Sequence, residues 1–166
     1  SSGGVYSGLA QRVLEQGGRV FGSVFDPEKR RAVHSSSAQG DYALQRKSKY
    51  VESALEDTFR QAKSALESGV PVLFSGAPCQ IYGLYNYLGK EYPNLVTCDF
   101  ICGGVNSNRV FQDYLDGLER RYGAKVKNVD FRSKKYGWST HSIRVELQNG
   151  RQYNSHYYTD PFFHGF

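Results

Sequence analysis

Methionine is absent from this chain of 166 residues, cysteine occurs only three times and tryptophan once. Three cysteines are too few, and odd in number, for the closed disulfide set of a small secreted scaffold, so a reducing, cytoplasmic setting is expected. No apolar run approaches the length of a membrane span. The first residues lack the charged start and apolar core of a signal peptide. The chain has no CxxC pair, no GxGxxG turn and no phosphate-binding P-loop, and His34, His141, His156 and His164 lack metal-ligand spacing. No Ser/His/Asp or Cys/His/Asn signature stands out. With no methionine at its head, the start "SSGG" reads as the cut end of a longer polypeptide. A site in it is then expected to lack some of its members.

What is present describes a globular chain long enough to bury one core. The net charge is +5 and the basic residues are scattered, with the densest cluster at Arg132, Lys134 and Lys135. Such a field suits an anionic partner such as a phosphorylated cofactor, or is simply a solvated surface. The absence of a basic stripe argues against nucleic acid.

Apolar residues Val5, Leu9, Val13 and Leu14 recur at helical spacing, with Ser2 as a candidate N-cap and Gly17 as a stop. "RVFGSVFD" and "RRAVHSSS" read as strands joined through the turn "DPEK". A second helix carries Leu55, Phe59, Ala62 and Leu66 on one face. "VPVLFSG" reads as a buried strand, "APCQIYGLYNYLGKEY" as a helix with Pro78 in its first turn, and "NLVTCDFIC" as another buried strand. "NRVFQDYLDGLERRYG" is a fourth helix. Strand, helix, strand, helix implies a parallel βαβ unit. After Gly123 the pattern turns antiparallel, with Asn149-Gly150 the clearest hairpin signal, and "DPFFHGF" opens a last helix. The expected fold is therefore α/β: a parallel βαβ core sheet flanked by helices, with an antiparallel C-terminal strand section. Residues 1–166 form a single domain piece, with 1–123 the core and 124–166 the extension.

In such a sheet, ligands bind at the carboxyl ends of the strands. Cys79 follows one strand end and Cys102 the next, 23 residues later, so neighbouring strands would bring both to one edge. Near a helix N-terminus the free N–H groups favour a thiolate at Cys79, the form that binds iron or attacks an electrophile. The residues alone leave Cys79 open as a packed apolar side chain, a reactive thiol or a metal ligand. Cys98, inside an apolar strand, reads as a packing residue. "SSGG" before a helix lets backbone N–H groups approach a phosphate, or merely caps the helix. Lys47, Lys49 and Tyr50 suit a diphosphate and an aromatic ring, or form an exposed turn. Tyr136 and Trp138, beside cations, would stack on a flat heterocycle or cover the core.

Five stretches in order, "SSGGVYSGLAQRVLEQGGRVFGSVFD", "SKYVES", "LFSGAPCQIYGL", "DFICGGVNS" and "FRSKKYGWS", resemble the coenzyme F420 hydrogenase/dehydrogenase beta-subunit family over nearly the whole chain. The resemblance implies an iron–sulfur flavoprotein oxidoreductase subunit. It would bind FAD and a [4Fe–4S] cluster and pass electrons between them, and in some relatives on to the deazaflavin coenzyme F420. Cys79 and Cys102 match cysteines that look like cluster ligands. The others of the family's set usually come from a CxxC further along, beyond Phe166. Ser2, Gly3, Gly4, Ser48, Lys49 and Tyr50 match cofactor-facing elements. An electron-donor or acceptor protein, or the deazaflavin, is the implied partner, and the piece by itself is expected to be inactive. Where the family often reads Cys-His-Gly-Val-Pro-Ser, this chain has Cys102-Gly103-Gly104-Val105-Asn106-Ser107, a loss that bears on redox tuning. Relatives also accompany polysaccharide-synthesis genes. A cofactor-free binding or scaffold relative is therefore a second expectation, and a transferase using Cys79 as nucleophile a third.

Overall fold

A computed structural model of the chain describes residues 3–38, 42–137 and 139–164. The elements in chain order are helix α1 (Gly4–Glu15), strands β1 (Arg19–Asp26), β2 (Arg31–Ser37) and β3 (Ser53–Ala54), helix α2 (Thr58–Glu67), β4 (Val72–Ser75), α3 (Pro78–Leu88), β5 (Leu95–Cys98), α4 (Asn108–Tyr122), β6 (Val126–Ser133), β7 (Ser142–Leu147), β8 (Gln152–His156) and α5 (Pro161–His164). They build a five-stranded sheet in the order β3-β2-β1-β4-β5 and a three-stranded sheet in the order β6-β7-β8. No described helix is long and apolar enough to cross a membrane.

The chain divides into two compact units. The first comprises residues 1–24, 33–46 and 53–104. Here β4 pairs in parallel with β1 and with β5, in the register Phe21↔Phe74 and Ser75↔Cys98. Alternate side chains point to opposite faces of a strand. Val20 and Leu73 therefore pack under Tyr6, Ala10 and Val13 of α1, while Phe21, Val72 and Phe74 pack against Ala62, Leu66, Ile81 and Leu84 of α2 and α3. Phe21 and Phe74 stack at 5.5 Å and are fully buried, so trimming either to Ala should cost about 3–5 kcal/mol. The turn from α1 into β1 needs glycine: a Cβ on Gly18 would sit 2.6 Å from the Pro71 carbonyl oxygen.

Several expectations are revised in this unit. Ser2 lies outside the described residues, and the residue capping α1 is Gly3, in the left-handed region at φ 96°. Leu55 precedes α2 instead of lying on its face, and its carbonyl accepts the Thr58 N–H and hydroxyl. β5 is neither long nor buried. It ends at Cys98, occupies the sheet edge and is half-exposed, and Asp99–Val105 is exposed loop. An edge strand has a partner on one side only, and Gly103-Gly104, the latter at φ 116°, do not favour extension.

The second unit comprises residues 25–32, 47–52 and 105–166. Ser107 caps α4 by accepting the Arg109 N–H. Phe111, Leu115 and Leu118 then pack on Val129, Phe131, Ile143 and Val145 of the antiparallel sheet, with Ala32, Val51 and Phe162 completing the core. The β7–β8 hairpin turns at Asn149-Gly150, with Gly150 at φ 82°. Asp160, fully buried, caps α5 through the N–H groups of Phe162 and Phe163 and accepts both the Tyr114 and Tyr153 hydroxyls.

Candidate functional site

In the first unit, the sequence-predicted cysteines follow two neighbouring strands of the parallel sheet. β4 runs into Gly76-Ala77 and then α3, where Pro78 takes the first helical position and needs no N–H partner, leaving Cys79 exposed in the first turn. β5 is its neighbour, tied across the turn by the Gly76 N–H to the Cys98 carbonyl at 3.2 Å, and Cys102 follows in the exposed loop. Gly3 and Gly4 open α1 about one turn ahead of Tyr6, which packs in the same cluster as Cys98. Cys98 is half-buried there, and burial together with the Asp99 charge pushes its thiol up. That environment suits packing better than thiolate chemistry.

The turn beneath Cys79 is held by side chains that sequence reasoning passed over. The Gln80 amide oxygen accepts the Ala77 N–H at 3.0 Å, and its NH₂ donates to the Ser53 carbonyl. Buried His34 stacks on Phe74 at 5.4 Å. Its Nε2 donates to the Ser75 carbonyl at 3.0 Å, so in the neutral ring Nδ1 accepts from the Ser53 hydroxyl at 2.9 Å. The turn thus reaches Cys79 with its backbone pinned on both sides.

In the second unit, Ser48 is exposed, while Lys49 and Tyr50 are half-buried. Lys47, at φ 69°, puts its ammonium 2.6 Å from the buried Asp130 carboxylate. Lys49 donates to the Lys47 carbonyl. Burial pushes the Lys49 amine down to about 7, with Asp130 opposing the shift and Lys47 adding to it. Tyr50 stands edge-on to Tyr157 and to Phe163, each at 6.0 Å, and those two rings stack on each other at 4.0 Å. Tyr157 donates its hydroxyl to the Phe131 carbonyl. Desolvation, with the Tyr50 hydroxyl next, pushes the Tyr157 phenol far up, keeping it neutral. Tyr50, Tyr157, Tyr158, Phe163 and His164 line an open, mostly apolar pocket of 460 Å³. Asp130 acts on both the Lys49 amine and the Tyr157 phenol, so amine and pocket wall share one electrostatic neighbourhood.

Of the sequence candidates, Cys79 follows β4 and Cys102 lies in the exposed loop after its neighbour β5, Gly3 and Gly4 open α1, Tyr50 lines the pocket with Lys49 preceding it in the chain, and Ser48 is exposed. Tyr136 is exposed and Trp138 lies outside the described residues. Tyr157 and Phe163 were missed. The run "HYYTDPFF" is their only local signal.

The donor set can be weighed against the groups a redox site would hold. A cubane cluster usually takes four thiolates. The chain has three, one of them half-buried, and no group of three or more His, Cys, Asp or Glu able to hold a metal exists among the described residues. Cys79 and Cys102 do not by themselves fit a complete cluster. The pocket does suit a flat ring, being aromatic, mainly apolar and within the usual size of ligand sites.

No curated protein matches the chain. A chain of the F420-reducing [NiFe] hydrogenase complex from Methanosarcina barkeri shares its fold, with a TM-score of 0.58 at 18% identity. The likeness covers 93% of this chain and 54% of that one, so this chain spans about half the length of its neighbour. Residues 70–160, more than half of the chain, match the family described as the C terminus of the coenzyme F420 hydrogenase/dehydrogenase beta subunit. On that match the chain belongs to the coenzyme F420 hydrogenase/dehydrogenase beta-subunit family.

Proposed function

We propose that the chain is the flavin-binding part of an iron–sulfur flavoprotein oxidoreductase. The observation that carries the reading is the second-unit pocket, where Tyr50, Tyr157 and Phe163 form an aromatic wall and the residue before Tyr50 is Lys49, whose amine burial pushes down to about 7. A bound FAD supplies two-electron uptake and one-electron release. The protein's part is to hold the ring and manage charge and protons. The apolar wall excludes water from one side of the ring, and the neutral phenol of Tyr157 neither ionises nor repels an anionic ring. Lys49, with its amine near 7, holds or gives up a proton at Nζ at working pH, which is the property a general acid or base needs. Lys47 is committed to Asp130 and fixes the backbone that carries Lys49 and Tyr50.

Cys79 and Cys102 would contribute two of the thiolates that a cluster needs. Gly3 and Gly4, with Ser2 ahead of them, offer backbone donors to a phosphate. The physiological partner would be an electron-carrying protein or a deazaflavin.

Titration of the purified chain with FAD, followed by quenching of flavin fluorescence, tests the reading. Tyr157→Leu and Phe163→Leu should each weaken binding by about 10-fold, since one ring face is worth about 1–3 kcal/mol. Unchanged affinity in both variants removes the pocket from the reading.

A further inference from the structure

In the second unit, Tyr50 reaches the pocket on a short segment, residues 47–52, that begins with backbone strain. Lys47 adopts φ 69°, in the left-handed region that residues with a Cβ rarely enter. Strain of that kind persists only where the surroundings hold it, and it gathers at functional sites.

Here one carboxylate does the holding. The Lys47 ammonium lies 2.6 Å from the buried Asp130. Asp130 also accepts the Arg132 N–H at 3.1 Å and has the Arg144 guanidinium at 3.7 Å, so it is itself fixed on β6 and against β7. The Lys47 carbonyl receives the Lys49 ammonium at 3.2 Å. At its other end the segment is held by buried Val51, which bridges to Asn106. Tyr50 stands between these two ends, 6.0 Å from Tyr157. The Tyr157 hydroxyl donates in turn to the carbonyl of Phe131, the residue after Asp130. Adjacent residues of β6 thus hold both sides of the aromatic wall.

We infer that Asp130 is a positioning residue for this pocket: through Lys47 it latches the strained segment, which places Tyr50 against Tyr157 and keeps Lys49 folded back on the Lys47 carbonyl. That the pocket takes a flavin rests on the function proposed above, whereas the latch can be read without flavin.

Charge alone and a latch predict opposite outcomes at Asp130. Of the charges acting on Lys49, Asp130 favours the protonated amine and Lys47 disfavours it. Arg132 and Arg144 lie against Asp130, and Tyr157 is kept neutral. If charge were all, Asp130→Ala would push the Lys49 amine below its folded value of about 7, and Lys47→Met would raise it. If the pair holds the segment, either substitution releases Lys49 into water. Both midpoints then move up toward the ordinary lysine value of about 10.4.

Trace acetylation of the full chain by acetic anhydride, between about pH 5 and pH 11, reads the midpoint, because the neutral amine is the nucleophile. Peptide mass spectrometry follows Lys49, with no flavin present. The expected midpoint is about 7 in the parent chain and above about 9 in both variants. A midpoint that falls in Asp130→Ala overturns the inference. So does one left at the parent value while only the melting temperature drops, the mark of a merely structural residue. Should Asp130→Ala not fold, Lys47→Met still decides, since that side chain is half-exposed. A midpoint that stays near the parent's in Lys47→Met overturns the latch by itself. FAD affinity should also fall in both variants. A parent chain that binds no FAD counts against the function proposed above, while the flavin-free midpoints still decide the latch.

Discussion

Lys49 is held where water only partly reaches it, and the cost depends on pH. The unfolded amine titrates near 10.4, whereas the folded one titrates at about 7. Between these values the unfolded chain binds the extra proton, so stability rises with pH across that window. Below about pH 7 the full cost of burying a charged amine is present, and above about pH 10.5 none of it is. Lys49→Met should therefore stabilise the protein most at pH 6, by about 1–3 kcal/mol once partial exposure and screening are allowed for. The gain should shrink steadily as the pH is raised toward 10. Urea melts at three pH values check this. A gain independent of pH would mean that methionine acts by packing alone. If flavin binding is followed across the same range, Lys49→Met should also flatten its pH profile near 7.

At the scale of elements, the short helix α5 depends on one carboxylate. Four residues of helix cannot stand alone in water. Asp160 supplies the missing support by accepting two backbone N–H groups and two tyrosine hydroxyls. Asp160→Ala leaves those donors buried and unpaired, at a cost of about 3 kcal/mol. It also frees Phe163 from its stack on Tyr157. The expected outcome is a lowered melting temperature together with weakened flavin binding. Asp160→Asn, which keeps a capping oxygen, should fall between the two.

The elements differ in how readable they were. Pro78 at the head of α3, the helical run "NRVFQDYLDGLERRY" and the Asn149-Gly150 turn each carry their cause within a few residues, and each appears where the sequence places it. "DFIC" misled, because Phe100 and Ile101 look the same in a sequence whether an apolar residue is buried or exposed. That the strands before Cys79 and Cys102 are neighbours was legible, since β4 and β5 do lie side by side. The aromatic pocket was half legible. Tyr50 sits in a recognisable segment, but Tyr157 and Phe163 reach it from more than 100 residues away, and no local period announces such a meeting.

At the scale of the whole molecule, the two units are not consecutive pieces of chain. The polypeptide passes from one to the other after residues 24, 32, 46, 52 and 104. The second unit's core needs Ala32 and Val51 as well as α4 and the antiparallel sheet, with Phe25 and Tyr50 packed against it. A truncated chain of residues 105–166 should therefore fail to fold, giving narrow amide dispersion in NMR and no cooperative melt. A well-dispersed spectrum from that piece would show that the early segments are ornaments on a self-sufficient sheet.

The same threading sets a timetable during synthesis. Residues 25–32 and 47–52 leave the ribosome long before the strands and helices that bury them, and the pairing is non-local, which is the slow kind. Until residues 105–164 follow them, Phe25, Ala32, Tyr50 and Val51 are apolar side chains without a home. The nascent chain should be a client of chaperones until residues 105–164 emerge, and its yield on expression should respond to chaperone supply more than the stability of the finished fold would suggest.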